Sequence, residues 1–265
     1  MLVTDPLAQV AALPGVAEAV TDARTAIDRL LAHRVLRRRS AEVSAESALR
    51  GARASAALEG SPVPLDDVRS GVVADPVVQG ALRVSAEIGA MAETWRQAPR
   101  QVLARLHALA VADTVGADRL GRPRTAAERD VHSPLELGPP PGAVAARVRL
   151  DGLIELLTGQ TGAPALVVGA IVHAELLALR PFGRGDGIVA RAAQRVTFIE
   201  RGLDPKSLAA PEVGHVELED AYAAALRGYV TGTPAGVAVW IRHCADAVSA
   251  AARDSIAVCE ALQRG

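Results

Sequence analysis

Apolar residues recur at intervals of three and four along most of the chain, the spacing that lines one face of an α-helix. In residues 16–58, Val20, Ala23, Ile27, Leu30, Leu31 and Leu36 alternate with Arg and Glu, and the span holds two helices. The run Gly60-Ser61-Pro62-Val63-Pro64 breaks the pattern, and Pro64 with Asp66 and Asp67 marks a new helix start with acids near its positive end. A helical stretch over 77–98 stops before Pro99. Val102, Leu103, Leu106, Leu109 and Ala110 then give an amphipathic helix over 100–112, with His107 along it. Residues 113–142 carry Gly116, Gly121, Pro123, Pro134, Gly138 and Pro139-Pro140-Pro141, and are predicted to be a long loop with a short flap or hairpin. Helix returns over 144–157, 165–179, 188–196, 217–230 and 234–262.

Composition points the same way. Half of the 265 residues are hydrophobic but only 2% are aromatic, so Ala, Val and Leu must fill the core, which suits closely packed helices. The fold class is therefore all-α, and the length fits a single helical domain over 1–265. The formal charge of -1, with 29 basic and 30 acidic residues intermixed, gives no basic face for a nucleic acid. Met1–Gly15 has no basic segment followed by an apolar run, and no apolar run of membrane-spanning length occurs, so a cytoplasmic protein without a membrane partner is expected. Cys244 and Cys259, far apart and without neighbouring His, suggest small buried thiols and not a zinc site.

The candidate chemistry lies at the sharpest interruption, Arg180-Pro181-Phe182-Gly183-Arg184-Gly185-Asp186-Gly187, which opens directly into a helix. Glycine-rich backbone at a helix start can aim several N–H groups at one anion; glycines in a tight helix–helix turn also occur simply to supply positive φ.

Residues 173–191, HAELLALRPFGRGDGIVAR, resemble the signature of the Fic (Fido) family, in which a helix leads into H-P-F-x-D/E-G-N-G-R-x-x-R. His173, Pro181, Phe182, Gly185, Gly187 and Arg191 stand where that family places them. Upstream, Ser55-Ala56-Ala57-Leu58-Glu59-Gly60 is similar to the family's S/T-x-x-x-E-G/N inhibitory motif. The resemblance implies an inhibitory-helix region at 40–75 and a Fic-like core at 100–230, with 121–142 as the target-binding flap.

In active relatives the motif histidine takes a proton from a target hydroxyl that attacks the α-phosphate of ATP. Arg180 holds that position here, and a guanidinium is no general base. Arg184 replaces the acid that would hold Mg²⁺, Asp186 replaces the Asn, and Ile188 replaces the first phosphate-gripping Arg. The resemblance thus implies no catalytic residue in the usual place, no metal ligand and no Mg²⁺ bound in the usual way. ATP or another phosphorylated nucleotide remains a possible ligand, at Gly183, Arg184, Gly185, Asp186, Gly187 and Arg191. Glu59 and Arg191 survive, and with Ser55 and Gly60 they are expected to form a latch between the N-terminal helix and the loop helix. His173, about 10.5 Å of helical rise before Arg180, is expected in the core.

Arg180, Arg184, Arg191 and Arg195 could together favour an anion, or could be neutralised by Asp186 and Glu59. Three functional readings follow. The first is a Fic-like pseudoenzyme, binding a nucleotide, another phosphate compound or a protein partner without efficient AMP transfer. The second is an active transferase with altered chemistry, using His132 from the flap as base. The third is an interaction protein with no ligand. The sequence leaves the oligomeric state open.

Overall fold

The computed structural model describes residues 5–128, 131–132 and 135–264; Pro134 and the segment Met1–Thr4 lie outside them. Thirteen α-helices occur among the described residues, and no strand. They are α1 (Pro6–Ala11), α2 (Val16–Leu31), α3 (Leu36–Ala57), α4 (Leu65–Ser70), α5 (Pro76–Glu87), α6 (Ala92–Gln97), α7 (Pro99–Ala110), α8 (Ala143–Thr158), α9 (Ala165–Leu179), α10 (Asp186–Glu200), α11 (Pro211–Glu217), α12 (Glu219–Val230) and α13 (Pro234–Arg264). The all-α expectation holds.

The sequence of α9 explains its place. ALVVGAIVHAELLAL is apolar on every side, so it must be surrounded by protein. It packs against α10, whose residues 186–198 are likewise all buried, and α8 and α13 close around the pair. The aromatic poverty of the chain makes its few large side chains count. Trp240 on α13 is wholly buried and donates its indole N–H to Ala170 O of α9 at 2.7 Å. Cys244 and Cys259 are free and buried.

Two local expectations need correction. The stretch over 77–98 is not one helix: α5 ends at Glu87, a 3-10 turn covers Gly89–Met91, and α6 follows. Two short helices, α1 and α11, lie where none was predicted. Between 113 and 142 the described residues form a flap with a 3-10 turn at Ala117–Arg119, and no hairpin. No helix is long and apolar enough to cross a membrane, among the described residues.

Trp240→Phe should destabilise the protein by about 2–3 kcal/mol in urea unfolding, because it removes buried volume and a buried hydrogen bond together. Val239→Ala, at a position 41% exposed on the same helix, should stay within about 0.5 kcal/mol of wild type.

Candidate functional site

The glycine loop joins the two central helices. α9 ends where Arg180 takes the left-handed conformation (φ 45°), and its amide donates to Leu176 O at 2.9 Å. Gly183 (φ 84°) and Gly185 (φ 69°) need the same region, which is cheap only without a Cβ. α10 begins immediately afterwards, at Asp186.

The flap braces this loop from outside. Arg124 N donates to Pro181 O at 2.7 Å and His132 N to Gly183 O at 2.9 Å. The Arg124 guanidinium donates to Arg180 O at 2.8 Å and to Leu179 O at 3.3 Å, satisfying carbonyls that the end of α9 leaves open. Arg180 itself turns back to the flap and donates to Gly138 O at 2.8 Å. Beneath the loop, Phe182 stacks on His107 with ring centroids 4.2 Å apart and 8° between planes. Burial pulls the His107 pKa down to about 4, and its Nδ1 accepts from Gly121 N at 3.0 Å.

Two of the loop amides, those of Phe182 and Gly183, are taken from within the loop. Asp186, 4% exposed, turns its carboxylate back onto them: Phe182 N donates to Oδ1 at 3.0 Å, and the Gly183 amide donates as well. Burial is the largest influence on this carboxyl and raises it; the two amides pull the other way, the Glu59 charge adds to the rise, and the pKa settles at about 7. Oδ2 has no hydrogen-bond partner. The Asp186 carboxyl therefore occupies the space in front of the Phe182 and Gly183 amides.

Glu59 and Arg191 meet. Arg191 Nη2 donates to Glu59 Oε1 at 2.7 Å and to Ser55 O at 3.0 Å, while Nε donates to Ser55 Oγ at 2.9 Å. The two side chains are 1% and 6% exposed. Helix α3 delivers both partners, Ser55 in its last turn and Glu59 just after its end, where Gly60 (φ 89°) turns the chain away. The approach depends on Gly187, because a Cβ there would overlap Glu59 Oε1.

Behind Arg191 lies a polar network that sequence reasoning did not anticipate. Tyr222 OH lies 2.9 Å from His173 Nε2, and His173 Nδ1 is 3.1 Å from Gln194 Oε1. The same Gln194 oxygen is 3.3 Å from His215 Nε2, and His215 Nδ1 is 3.0 Å from His243 Nε2. Burial lowers the pKa of all three histidines, that of His243 to about 4, so the network is neutral and leaves Arg191 as its one strong cation. His173 is in the core, as expected.

Two cavities adjoin the latch, and Glu59, His132 and Gly185 line both. One, of about 10 Å³, is bounded by Arg180, Asp186 and Gly187. The other, of about 170 Å³, is bounded by Arg184, Ile188 and Val111. Sites for ligands of drug size run to roughly 300–1,000 Å³. With the amides taken by Asp186, an arginine in place of the metal carboxylate and this little space, the residues do not fit Mg²⁺–ATP in this conformation. Among the described residues, no group of three His, Cys, Asp or Glu side chains is placed to hold a metal ion. Of the four arginines considered together, Arg195 lies elsewhere, paired with Glu212 at 3.6 Å and Ser207 Oγ at 2.6 Å.

The helical fold has counterparts among solved structures. A Fic family protein from Desulfovibrio desulfuricans matches with a TM-score of 0.71 at 20% sequence identity, over 91% of this chain and 74% of that one. Fic-1 (residues 134–508) from C. elegans matches with a TM-score of 0.70 at 17% identity, over 92% of this chain and 73% of that one. The chain has the Fic fold. No protein-family model and no curated protein sequence matches it. On this Fic scaffold, the residues missed in the sequence are Arg124, Gln194, Tyr222, His215 and His243. Each acts through a partner distant in the chain, and only the Arg124 position, inside the expected flap, carried any signal.

The buried Asp186 carboxyl sets a pH dependence. Its folded pKa of about 7 lies above its ordinary value of 3.8, so between these values the native state holds a proton that the unfolded chain has lost. Stability from this group is full below about pH 4 and is lost as pH rises through about 7. Asp186→Asn should therefore match wild type near pH 4 and exceed it by at least ~1 kcal/mol at pH 8. Urea unfolding at the two pH values measures the difference; a gap that does not change with pH would show that Asp186 does not titrate there.

Proposed function

We propose that this chain is a Fic-type pseudoenzyme: a helical domain held with its nucleotide site closed, serving regulation through a phosphate compound or a protein partner, without efficient AMP transfer. The observation that carries this reading is the inside of the loop. Where transfer needs a general base stands Arg180, a buried guanidinium donating to the flap. Burial lowers its pKa from the ordinary value, yet arginine does not deprotonate in proteins. Loss of a base typically costs on the order of 10²–10⁴ in rate. Where a phosphate would take the loop amides stands the Asp186 carboxylate. The Fic resemblance makes Glu59 the residue that keeps a γ-phosphate out. Its withdrawal would remove the wall shared by the two cavities, so ligand entry and release of the latch are one event.

A second reading has one observation in its favour. His132 lines both cavities beside Glu59, where it could serve as base for a different phosphorylated donor gripped by Arg184.

The test is incubation of wild type and Glu59→Ala with α-labelled ATP and Mg²⁺, alone and in lysate. No covalent label is expected from either protein. Label from Glu59→Ala that disappears on adding His132→Ala would replace the first reading with the second. A thermal-shift panel of nucleotides and nucleotide sugars should leave wild type unmoved and shift Glu59→Ala. No shift in either protein would reduce the domain to an interaction module.

A further inference from the structure

Away from the loop, a cavity of about 620 Å³ opens between α3, α5 and the C-terminal part of α10. Its volume is within the range of small-molecule sites. Its walls are apolar: Ala45 and Ala48 of α3 face Leu82 of α5 and Ile199 of α10. The polar groups gather at Arg195, Lys206 and the hydroxyls of Ser44, Ser85 and Ser207. Both charged residues that line the cavity are cations, and one of them, Lys206, is the only lysine of the chain.

Arg195 is the unusual member. It is 3% exposed, it reaches the cavity wall, and its Nε has no hydrogen-bond partner. The carboxylate it pairs with, Glu212, is 3.6 Å away, does not line the cavity, and keeps an unpartnered Oε2 of its own. The guanidinium is held by this loose ion pair, by Ser207 and Ser85 oxygens, and by the charge of nearby Asp204, which leaves Nε as its unused donor. Ser207, which accepts from Arg195 Nη2 at 2.6 Å, is one of three described non-glycine residues with positive φ (50°). Backbone held in that region is found preferentially where a ligand or switch is built.

We infer that this cavity is a binding site for a small amphipathic anion, a single carboxylate head on an aliphatic tail. The head meets Arg195 and Lys206, with the Ser207 hydroxyl as a further donor, since Ser44 and Ser85 already donate to Lys206 O and Ala48 O; the tail lies along the alanine, leucine and isoleucine wall. A nucleotide fits less well, because no aromatic ring lines the cavity for a base to stack on. The site is independent of the glycine loop, although its two main walls are the helices that carry Ser55 and Arg191.

Calorimetric titration with octanoate tests the assignment, with 1-octanol as the uncharged control and inorganic phosphate as the tailless one. Octanoate should bind saturably, one per chain, and at least tenfold more tightly than either control. Ala45→Trp, an exposed position on the cavity wall, should abolish binding while circular dichroism and Tm remain those of wild type. Lys206→Gln should weaken binding severalfold. The assignment is overturned by absence of saturable octanoate binding to folded wild type, by equal binding of octanol or phosphate, or by full binding to folded Ala45→Trp. None of these outcomes bears on nucleotide labelling at the loop.

Discussion

A guanidinium enclosed by helices must be met on several sides by acceptors, or the surrounding fold bears a charge it cannot solvate. Arg191 imposes that requirement here. It lies in the most buried helix pair, and its acceptors, Ser55 and Glu59, come from a helix that ended more than a hundred residues earlier. Satisfying it fixes where α3 must end, forces glycine at 187, and brings Glu59 to the wall between the two small cavities. The neutral Tyr222–His173–Gln194–His215–His243 network on the other side adds polarity without a competing charge, so the pairing with Glu59 has no rival within the core.

The same logic extends to the loop. An arginine at 180 and an aspartate at 186 would read as two isolated charges at a phosphate site, but each is absorbed locally. Arg180 ties α9 to the flap, and Asp186 takes the amides of Phe182 and Gly183. A glycine-rich turn at a helix start can thus direct its charged groups inward. The glycines and Phe182 set the shape of the turn, and Arg180 and Asp186 brace it from within.

Much of the fold was legible because its strongest elements carry their own signals. The all-apolar α9 and the Gly-rich stop after it could be read directly, as could the spacing that sets Glu59 and Arg191 apart from the replaced positions. Other features were hidden for physical reasons. Val84, Ile88, Met91 and Trp95 keep a helical spacing straight through the break at Gly89–Met91, so periodicity ran on where the backbone did not. Asp186 looked like a charge beside an anion site because only the three-dimensional turn folds its carboxylate onto residues 182 and 183. The buried network gathers side chains from α9, α10, α11, α12 and α13, and no local pattern marks such a meeting.

The central claim is that the Glu59–Arg191 pair is a coupled, buried latch. A double-mutant cycle with Glu59→Ala and Arg191→Met, followed by urea unfolding, measures it most directly. Either single change should cost about 3–5 kcal/mol, and the double change should cost less than their sum by at least ~1.5 kcal/mol. Single effects that add to within about 0.5 kcal/mol would mean that the two residues do not act on each other, and the closed site would need another cause.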